Sequence, residues 1–527
     1  MQERFTIAGM IRAHAAERPQ GEMLVCGSER RSWSQQFERS CAAAQALLDE
    51  GVGAGGRVAF LDRNSLAYFD LLFGGALIGA VNVAVNWRLA AGEIAGVIED
   101  SEATILIIDR EYVPALAAVE GGLAKLQRIV VIGDEGDAAS LDRGVAYEAW
   151  LQDRPHDDPG WRGGEDDVCM QLYTSGTTGR PKGVMLSNRN LATAVSAAGD
   201  TFRVDASTVS LVAMPLFHIG GSGWALCGMS RGGRSIVLRD VEPTEILRLI
   251  DSEGVTESFL VPAVLMFLLQ APTLETTDLS SLRNIFYGAS PIGEELLARC
   301  LAAFGCDLTQ VYGLTETTGA ITALRPEDHD PTGPRRHLLR SAGKPHDFVE
   351  LRIISIDTGE VAPPGEVGEV VTRSALNMLG YFAKPEETAR TIDAEGWLRT
   401  GDAGYLDEEG YLFLHDRIKD MIVSGGENVY PAEVENALLA HAGIADAAVI
   451  GVPDDTWGEA VKAIVVRKDG AEVTAEELIQ FCHGRLAGYK CPKSVDFADT
   501  LPRNPSGKLL KRELRAPYWE GKRRNIG

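Results

Sequence analysis

From residue 7 to residue 108 the chain alternates between two hydrophobic periods, and this rhythm limits the fold more than any other feature. Residues 7–18 and 35–50 place apolar side chains at helical spacing, and Gly51 closes the second stretch. Residues 57–61 read as a short strand, 65–79 as an apolar, buried helix, and 81–85 as a strand. Residues 91–100 are then expected to be helical, and 103–108 a strand rich in isoleucine. Asn64 stands where it could cap the third helix. Strand–helix–strand alternation builds sheets covered by helices, so a layered α/β fold is expected. Gly51, Gly53 and Gly56 satisfy a G-x-G-x-x-G spacing. They follow a helix and precede a strand, the reverse of a dinucleotide site, and read as a helix stop and a turn.

The rhythm resumes between residues 209 and 310. Strands are expected at 209–214, 235–238 and 258–261, with helices at 243–252, 263–270 and 293–304. Beyond Pro345 the texture changes to short β runs (350–356, 368–372, 411–414) with turns such as Pro363-Pro364-Gly365, which suggests a small β subdomain. After Lys419 a mixed α/β pattern returns. At 527 residues the chain is too long for one ordinary core.

The chain carries a net charge of −24, which disfavours nucleic acid as a partner. From Arg485 onward the balance reverses, and a basic terminus on an acidic body suits a local polyanion such as a nucleotide or pyrophosphate. None of the 8 cysteines forms a C-x-x-C pair, so buried thiols in a reducing, cytoplasmic setting are expected rather than disulfides or zinc. No signal peptide is recognisable at the N-terminus. The longest apolar run, residues 71–81, falls short of the ~20 residues that span a bilayer.

One loop carries most of the chemical information. Thr174, Ser175, Gly176, Thr177, Thr178 and Gly179 lie between two apolar runs, followed by Arg180-Pro181-Lys182. Hydroxyls, bare N–H groups and a lysine make an anion cradle. It is not a Walker loop, because Lys182 leads into Gly183 and a β-prone run rather than a helix. Downstream, Gly288-Ala289-Ser290 ends an apolar strand and leaves room for a flat ring. Tyr312, Thr315 and Glu316 follow a strand-like 309–311, and one carboxylate beside phosphates suits Mg²⁺. Asp402, on an expected Gly-Asp turn, could accept two ribose hydroxyl protons. Asp416-Arg417-Ile418-Lys419 marks a domain junction, Gly425-Gly426 a glycine-rich turn before a helix begun by Pro431, and Lys508 a lysine on a turn near the chain end.

In this order and spacing the pieces resemble the adenylate-forming superfamily, which includes acyl- and aryl-CoA synthetases, luciferases and peptide-synthetase adenylation domains. The likeness runs from the first helix to Lys508 and is strongest to bacterial fatty-acyl-CoA synthetases. It implies a large N-terminal domain (1–417) of layered α/β subdomains to about residue 345 plus a β subdomain (346–417). A small mobile α+β C-terminal domain (418–527) would pivot at Lys419. It also implies a two-step ligase. A small-molecule carboxylic acid attacks ATP to give acyl-AMP and pyrophosphate, and coenzyme A then displaces AMP. Carried over, Thr174–Lys182 would hold the β- and γ-phosphates, Gly288, Ala289 and Ser290 would line adenine, and Tyr312 would stack nearby. Thr315 would contact phosphate, Glu316 Mg²⁺, and Asp402 with Arg417 the ribose. Lys508 would bridge the carboxylate and α-phosphate. Gly425, Gly426 and Trp457 would face CoA. His218, in the segment Met214–Trp224, would wall the carboxylate, and Gly220, Gly221 and Gly223 would open a roomy acyl pocket for a medium- or long-chain or bulky acid. Where the family's hinge motif opens Gly-Arg, this chain has Asp416-Arg417. A homodimer is plausible for the family. Transfer to a carrier protein, an aryl acid as substrate, and a catalytically silent binding protein stay open at this level.

Overall fold

The computed structural model describes residues 6–174, 181–290, 292–424, 427–454, 457–503 and 509–520. By compactness the chain forms two units. The first comprises Met1–Leu339, Pro345–Glu350 and Arg373–Leu398; the second Arg340–Lys344, Leu351–Thr372 and Arg399–Gly527.

The first unit holds two sheets with helices between and outside them. One sheet runs, neighbour by neighbour, Gly380–Tyr381, Lys182–Ser187, Val168–Thr174, Val81–Ala84, Arg57–Leu61, Ile105–Asp109, Arg128–Ile132 and Gly144–Ala146. Its strands are parallel from Val168–Thr174 onward, and the first two pairs are antiparallel. The other runs Gly319–Leu324, Asp307–Leu314, Asn284–Gly288, Glu257–Leu260, Val209–Val212, Arg234–Val237, Glu22–Cys26 and Glu29–Ser32. Helices Trp33–Asp49, Leu66–Ile78 and Ile219–Ser230 lie in the apolar layer that both sheets share, through Phe60 and Met170 of one and Val212 and Phe286 of the other. This sandwiching explains why Leu66–Ile78 is apolar all round, Asp70 excepted. The outer faces carry Pro243–Glu253 and Glu294–Phe304 on one sheet and Ala91–Ser101 on the other. The expected α/β layering is therefore observed, with strand and helix bounds within a few residues of those read from the pattern.

The helix Trp33–Asp49 starts at a reciprocal cap: Gln35 N–H donates to Ser32 Oγ, and Ser32 N–H to the Gln35 side chain. It packs on Leu66–Ile78 at Gly74, where a Cβ would stand 2.9 Å from the Ser40 carbonyl oxygen. Between these helices lies Asp70, fully buried. It accepts from Arg31 (2.6 Å), Gln36 (2.9 Å), Arg39 (3.0 Å) and Tyr147 (2.9 Å). A buried charge satisfied by four donors tolerates its desolvation, but the donors depend on it in turn.

The second unit carries a four-stranded sheet, Glu350–Ile354, Gly368–Arg373, Leu398–Leu406 and Leu412–Arg417. A further sheet runs Glu427–Val429, Ile422–Ser424, Gly458–Arg467 and Ile444–Asp454, with Ser494–Phe497 beside Gly458–Arg467. Helices Pro431–Leu439 and Ala475–His483 cover its core through Val434, Leu438, Leu478 and Cys482. The cysteines are all free thiols, mostly buried. Among the described residues no helix is long and apolar enough to cross a membrane.

Asp70→Ala removes one acceptor from four donors; Arg31 keeps Glu29 and Arg39 keeps Glu148, but the inward-facing N–H groups of both lose their charged partner. It is expected to destabilise the protein by about 3–5 kcal/mol, measured by urea unfolding. A loss below ~1 kcal/mol would show that Glu29, Glu148 and water suffice for the two arginines.

Candidate active site

The glycine- and hydroxyl-rich run lies between strands Val168–Thr174 and Lys182–Ser187, as its flanking pattern suggested. Ser175, Gly176, Thr177, Thr178 and Gly179 themselves lie outside the described residues. Their anchors are described: the strands are antiparallel, and Thr174 pairs with Lys182. A two-residue strand, Gly380–Tyr381, adds to the free edge, with Tyr381 opposite Val184. Leu379 N–H donates to the Met185 carbonyl (3.1 Å) and Phe382 N–H to that of Gly183 (2.8 Å).

Glu316 sits in the tight turn Thr315–Thr317. The preceding strand, Asp307–Leu314, continues through Tyr312, so that residue lies within the sheet rather than after it. Gly313 is required there, because a Cβ would stand 1.7 Å from the Gly319 carbonyl oxygen. The turn is pinned from both sides. Leu314 N–H donates to Thr317 Oγ1 (2.8 Å), and Thr318, at φ 52°, donates its hydroxyl to the Leu376 carbonyl (2.6 Å). Met378 N–H donates to the Glu316 carbonyl (2.9 Å). The carboxylate then receives the Tyr381 hydroxyl at 3.0 Å and stands 3.5 Å from Thr174 Oγ1, both at Oε1. Burial and the Glu316 charge push the Tyr381 phenol up, so it stays a proton donor. Lys182 pairs with Glu387 and lies 4.9 Å from the centre of the Tyr381 ring. Glu316, read from a separate segment of sequence, is thus brought to the ends of the Thr174–Lys182 loop.

Gly288 ends the parallel strand Asn284–Gly288 beside Asp307–Leu314, where it pairs with Val311, and Ala289 and Ser290 follow. A Cβ on Gly288 would stand 2.2 Å from the Val311 carbonyl oxygen, and Ala289 adopts φ 64°. These residues and Tyr312 therefore occupy neighbouring carboxyl ends of parallel strands, where open α/β sheets bind ligands.

In the second unit Asp402 lies within the strand Leu398–Leu406, not on a free turn; Gly401, at φ 71°, makes the sequence look like one. Asp402 is buried and pairs in register with Arg417, and Ala403 with Asp416. Lys419 is in the short turn Ile418–Asp420. Gly425 and Gly426 lie outside the described residues, between paired strands Ile422–Ser424 and Glu427–Val429. Trp457 is 49% exposed, with Lys493 Nζ 5.8 Å from its ring centre. Lys508 lies outside the described residues. No group of three or more His, Cys, Asp or Glu able to hold a metal occurs among the described residues.

Residues 11–382 match the family model of the AMP-binding enzymes, and residues 433–508 that of the AMP-binding enzyme C-terminal domain. The chain is 38% identical over 523 residues to a fatty acid–[acyl-carrier-protein] ligase of Streptomyces coeruleorubidus, spanning 97% of this chain and 96% of that protein. It is 39% identical over 505 residues to a feruloyl-CoA synthase of Amycolatopsis sp., spanning 95% and 96%. The ATP-bound structure of MatB from Rhodopseudomonas palustris aligns with a TM-score of 0.87 at 30% identity, covering 97% of this chain and 99% of that one.

The chain belongs to the AMP-binding, adenylate-forming enzymes.

It is an ATP-using ligase of the AMP-forming acid–thiol family, with a large α/β portion and a small C-terminal domain. In this adenylate-forming enzyme the segment expected to shape the acyl pocket corrects part of its reading. Gly221 does not open space: a Cβ there would stand 2.2 Å from the Pro215 carbonyl oxygen and 2.6 Å from that of Met214. That turn is held by Asn64, whose side chain donates to Met214 and Leu238 carbonyls (3.0 Å each) and accepts from Leu216 N–H (2.9 Å). Asn64 is thus a cross-brace and not a cap; Ser65 holds the cap position. Gly220 instead faces the Phe259 ring, 2.9 Å from an added Cβ. His218 precedes the helix Ile219–Ser230 and packs on Phe217, ring centres 4.6 Å apart.

Sequence reading missed Tyr381, Glu387 and Thr388. A signal existed in Gly380-Tyr381, a glycine held at φ 141° before an aromatic, but it acquires meaning only through a pairing with residues almost two hundred positions earlier.

Tyr381→Phe deletes the hydroxyl that holds the Glu316 carboxylate. Adenylate formation, followed by pyrophosphate release, is expected to slow about tenfold, the value of a hydrogen bond to a charged group. A wild-type rate would remove Tyr381 from the site.

Burial, reinforced by the Arg88 charge, pushes the His218 imidazole down to about 4, and burial does the same for His346. Both are neutral when folded, whereas in the unfolded chain they protonate below about 6.5. Their contribution is complete above about pH 6.5 and is lost as pH falls toward 4. Urea stability should decline across that window, and His218→Gln should flatten the decline by one histidine's share. An identical slope in the variant would contradict the burial.

Proposed function

We propose that this enzyme joins a carboxylic acid to ATP, releasing pyrophosphate, and then transfers the acyl group from the adenylate to coenzyme A, releasing AMP. The observation that supports this most is the meeting of Thr174, Lys182 and Glu316 beside the strand ends that carry Gly288–Ser290 and Tyr312. A phosphate cradle, one fixed carboxylate and a flat-walled strand end are what nucleoside triphosphate chemistry needs. Glu316 supplies the carboxylate among these, which suits Mg²⁺, an ion that takes one or two carboxylates plus phosphate oxygens. When bound, it would neutralise the phosphate charge.

The chain's own residues take the remaining roles. Thr315 contacts phosphate, and Asp402 with Arg417 holds the ribose. Lys508 stabilises charge as the acid oxygen bonds to the α-phosphorus and pyrophosphate departs. His218 stays neutral beside the acid carboxylate, its proton unneeded because the nucleophile is already ionised. Lys419 is the pivot between a large portion (1–417) and the C-terminal domain (418–527), and Gly425, Gly426 and Trp457 face the pantetheine thiol. We infer an apolar acid of medium or long chain, or a bulky one. The aromatic surroundings of the His218 segment support it: Phe217 on Trp87, and Trp224 near Phe259 and Phe286. An aryl acid is consistent with the same walls and with the feruloyl-CoA synthase likeness.

A second acceptor is favoured by one finding. The Streptomyces relative is named for transfer to an acyl carrier protein, and its likeness spans 97% of this chain. The exposed Trp457 could meet either pantetheine carrier.

Pyrophosphate release is to be measured across fatty acids of rising length and aryl acids, then AMP release with CoA or with a phosphopantetheinylated carrier protein. CoA-dependent AMP release is the expected result; dependence on the carrier alone would replace the acceptor. Lys508→Ala is expected to slow adenylation by about 10²–10³-fold while preformed acyl-AMP still reacts with the thiol. Adenylation at the wild-type rate would remove Lys508 from the first step.

A further inference from the structure

Lys182 ends the phosphate loop, yet its ammonium is already engaged. It pairs with Glu387, and both side chains are largely withdrawn from solvent, 14% and 28% exposed. Glu387 lies in the first turn of the helix Pro385–Thr391. That helix is tied down independently of Lys182. Lys384 Nζ pairs with Asp100 at 2.6 Å, and Asp100 also accepts the Tyr173 hydroxyl at 2.8 Å. Thr388 Oγ1 accepts from Tyr381 N–H (2.9 Å) and donates to the Lys384 carbonyl (2.9 Å). A carboxylate on so anchored a turn cannot follow the lysine far.

An ammonium is a compact charge on a flexible stem, and it reaches whichever anion lies nearest. We propose that Glu387 is a positioning residue that competes with the triphosphate for Lys182, holding the lysine when the loop is empty and recapturing it when pyrophosphate leaves. The role rests on the reading of Lys182 as a ligand of the β- and γ-phosphates. Glu387 costs the enzyme some affinity for ATP, and in exchange loosens its grip on pyrophosphate, so the first half-reaction is not stalled by its own product.

The test is a double-mutant cycle on the acid-free protein, with ATP and pyrophosphate affinities measured for wild type, Glu387→Gln, Lys182→Met and the double variant. Glu387→Gln is expected to tighten both ligands by about 3–10-fold, the scale of one charge-assisted bond in partial competition. The effect should vanish in the Lys182→Met background. In turnover the KM for ATP should fall while the KM for the acid is unmoved. A merely structural role would shift Tm without this split. Unchanged or weaker ATP binding in Glu387→Gln, or the same gain without Lys182, overturns the proposal. If Lys182→Met binds ATP as wild type does, the phosphate-ligand reading itself fails, a result distinct from the other two.

Discussion

The addition of residues 379–382 to the edge strand Lys182–Ser187 is the interaction on which the site depends. It does three things at once. It sets the Tyr381 hydroxyl 3.0 Å from Glu316, stands the Tyr381 ring beside Lys182, and delivers the helix that carries Glu387. Two backbone bonds, from Leu379 and Phe382, fix its register. A slip of one residue would turn Tyr381 to the opposite face and replace it with Gly380 or Phe382. The site's chemistry is therefore held by main-chain pairing rather than by the acidic or basic groups themselves.

The second requirement is close backbone approach. Gly313 and Gly288 each stand where a Cβ would meet a carbonyl oxygen on the adjoining strand. Gly221 does the same against the Met214–Pro215 turn. These glycines let the strand ends and the start of the helix Ile219–Ser230 approach their neighbouring backbones closely. Their role is to permit contact between backbones rather than to leave a void, which is why the volume argument at Gly221 fails.

The layering was legible in the sequence because its helices and strands differ in period and are short enough for Gly and Pro to punctuate. The proposed phosphate loop, Glu316 and the 288–290 segment stand out in the sequence because composition there departs from anything a core needs. What escaped was long-range. Asn64 sits at a plausible cap position, yet its partners are 150 to 174 residues away. Asp402 follows a glycine at φ 71°, a local signature of a turn, but the strand continues through it. Tyr381 lies on a two-residue strand, too short to show any period.

The order in which the first unit is assembled along the chain has a consequence for biosynthesis. Its two sheets are almost complete by residue 339, but Arg373–Leu398 returns to it after Leu351–Thr372 has been given to the second unit. A ribosome adding ~5–20 residues per second leaves an interval of several seconds in which the cradle strands exist without their edge partner. During that interval the edge of Lys182–Ser187 is open, a row of unpaired backbone groups able to recruit another nascent chain. The strand that brings Tyr381 to Glu316 thus also seals the sheet against aggregation, and a chain interrupted between residues 340 and 379 would carry the strand Lys182–Ser187 with its edge exposed.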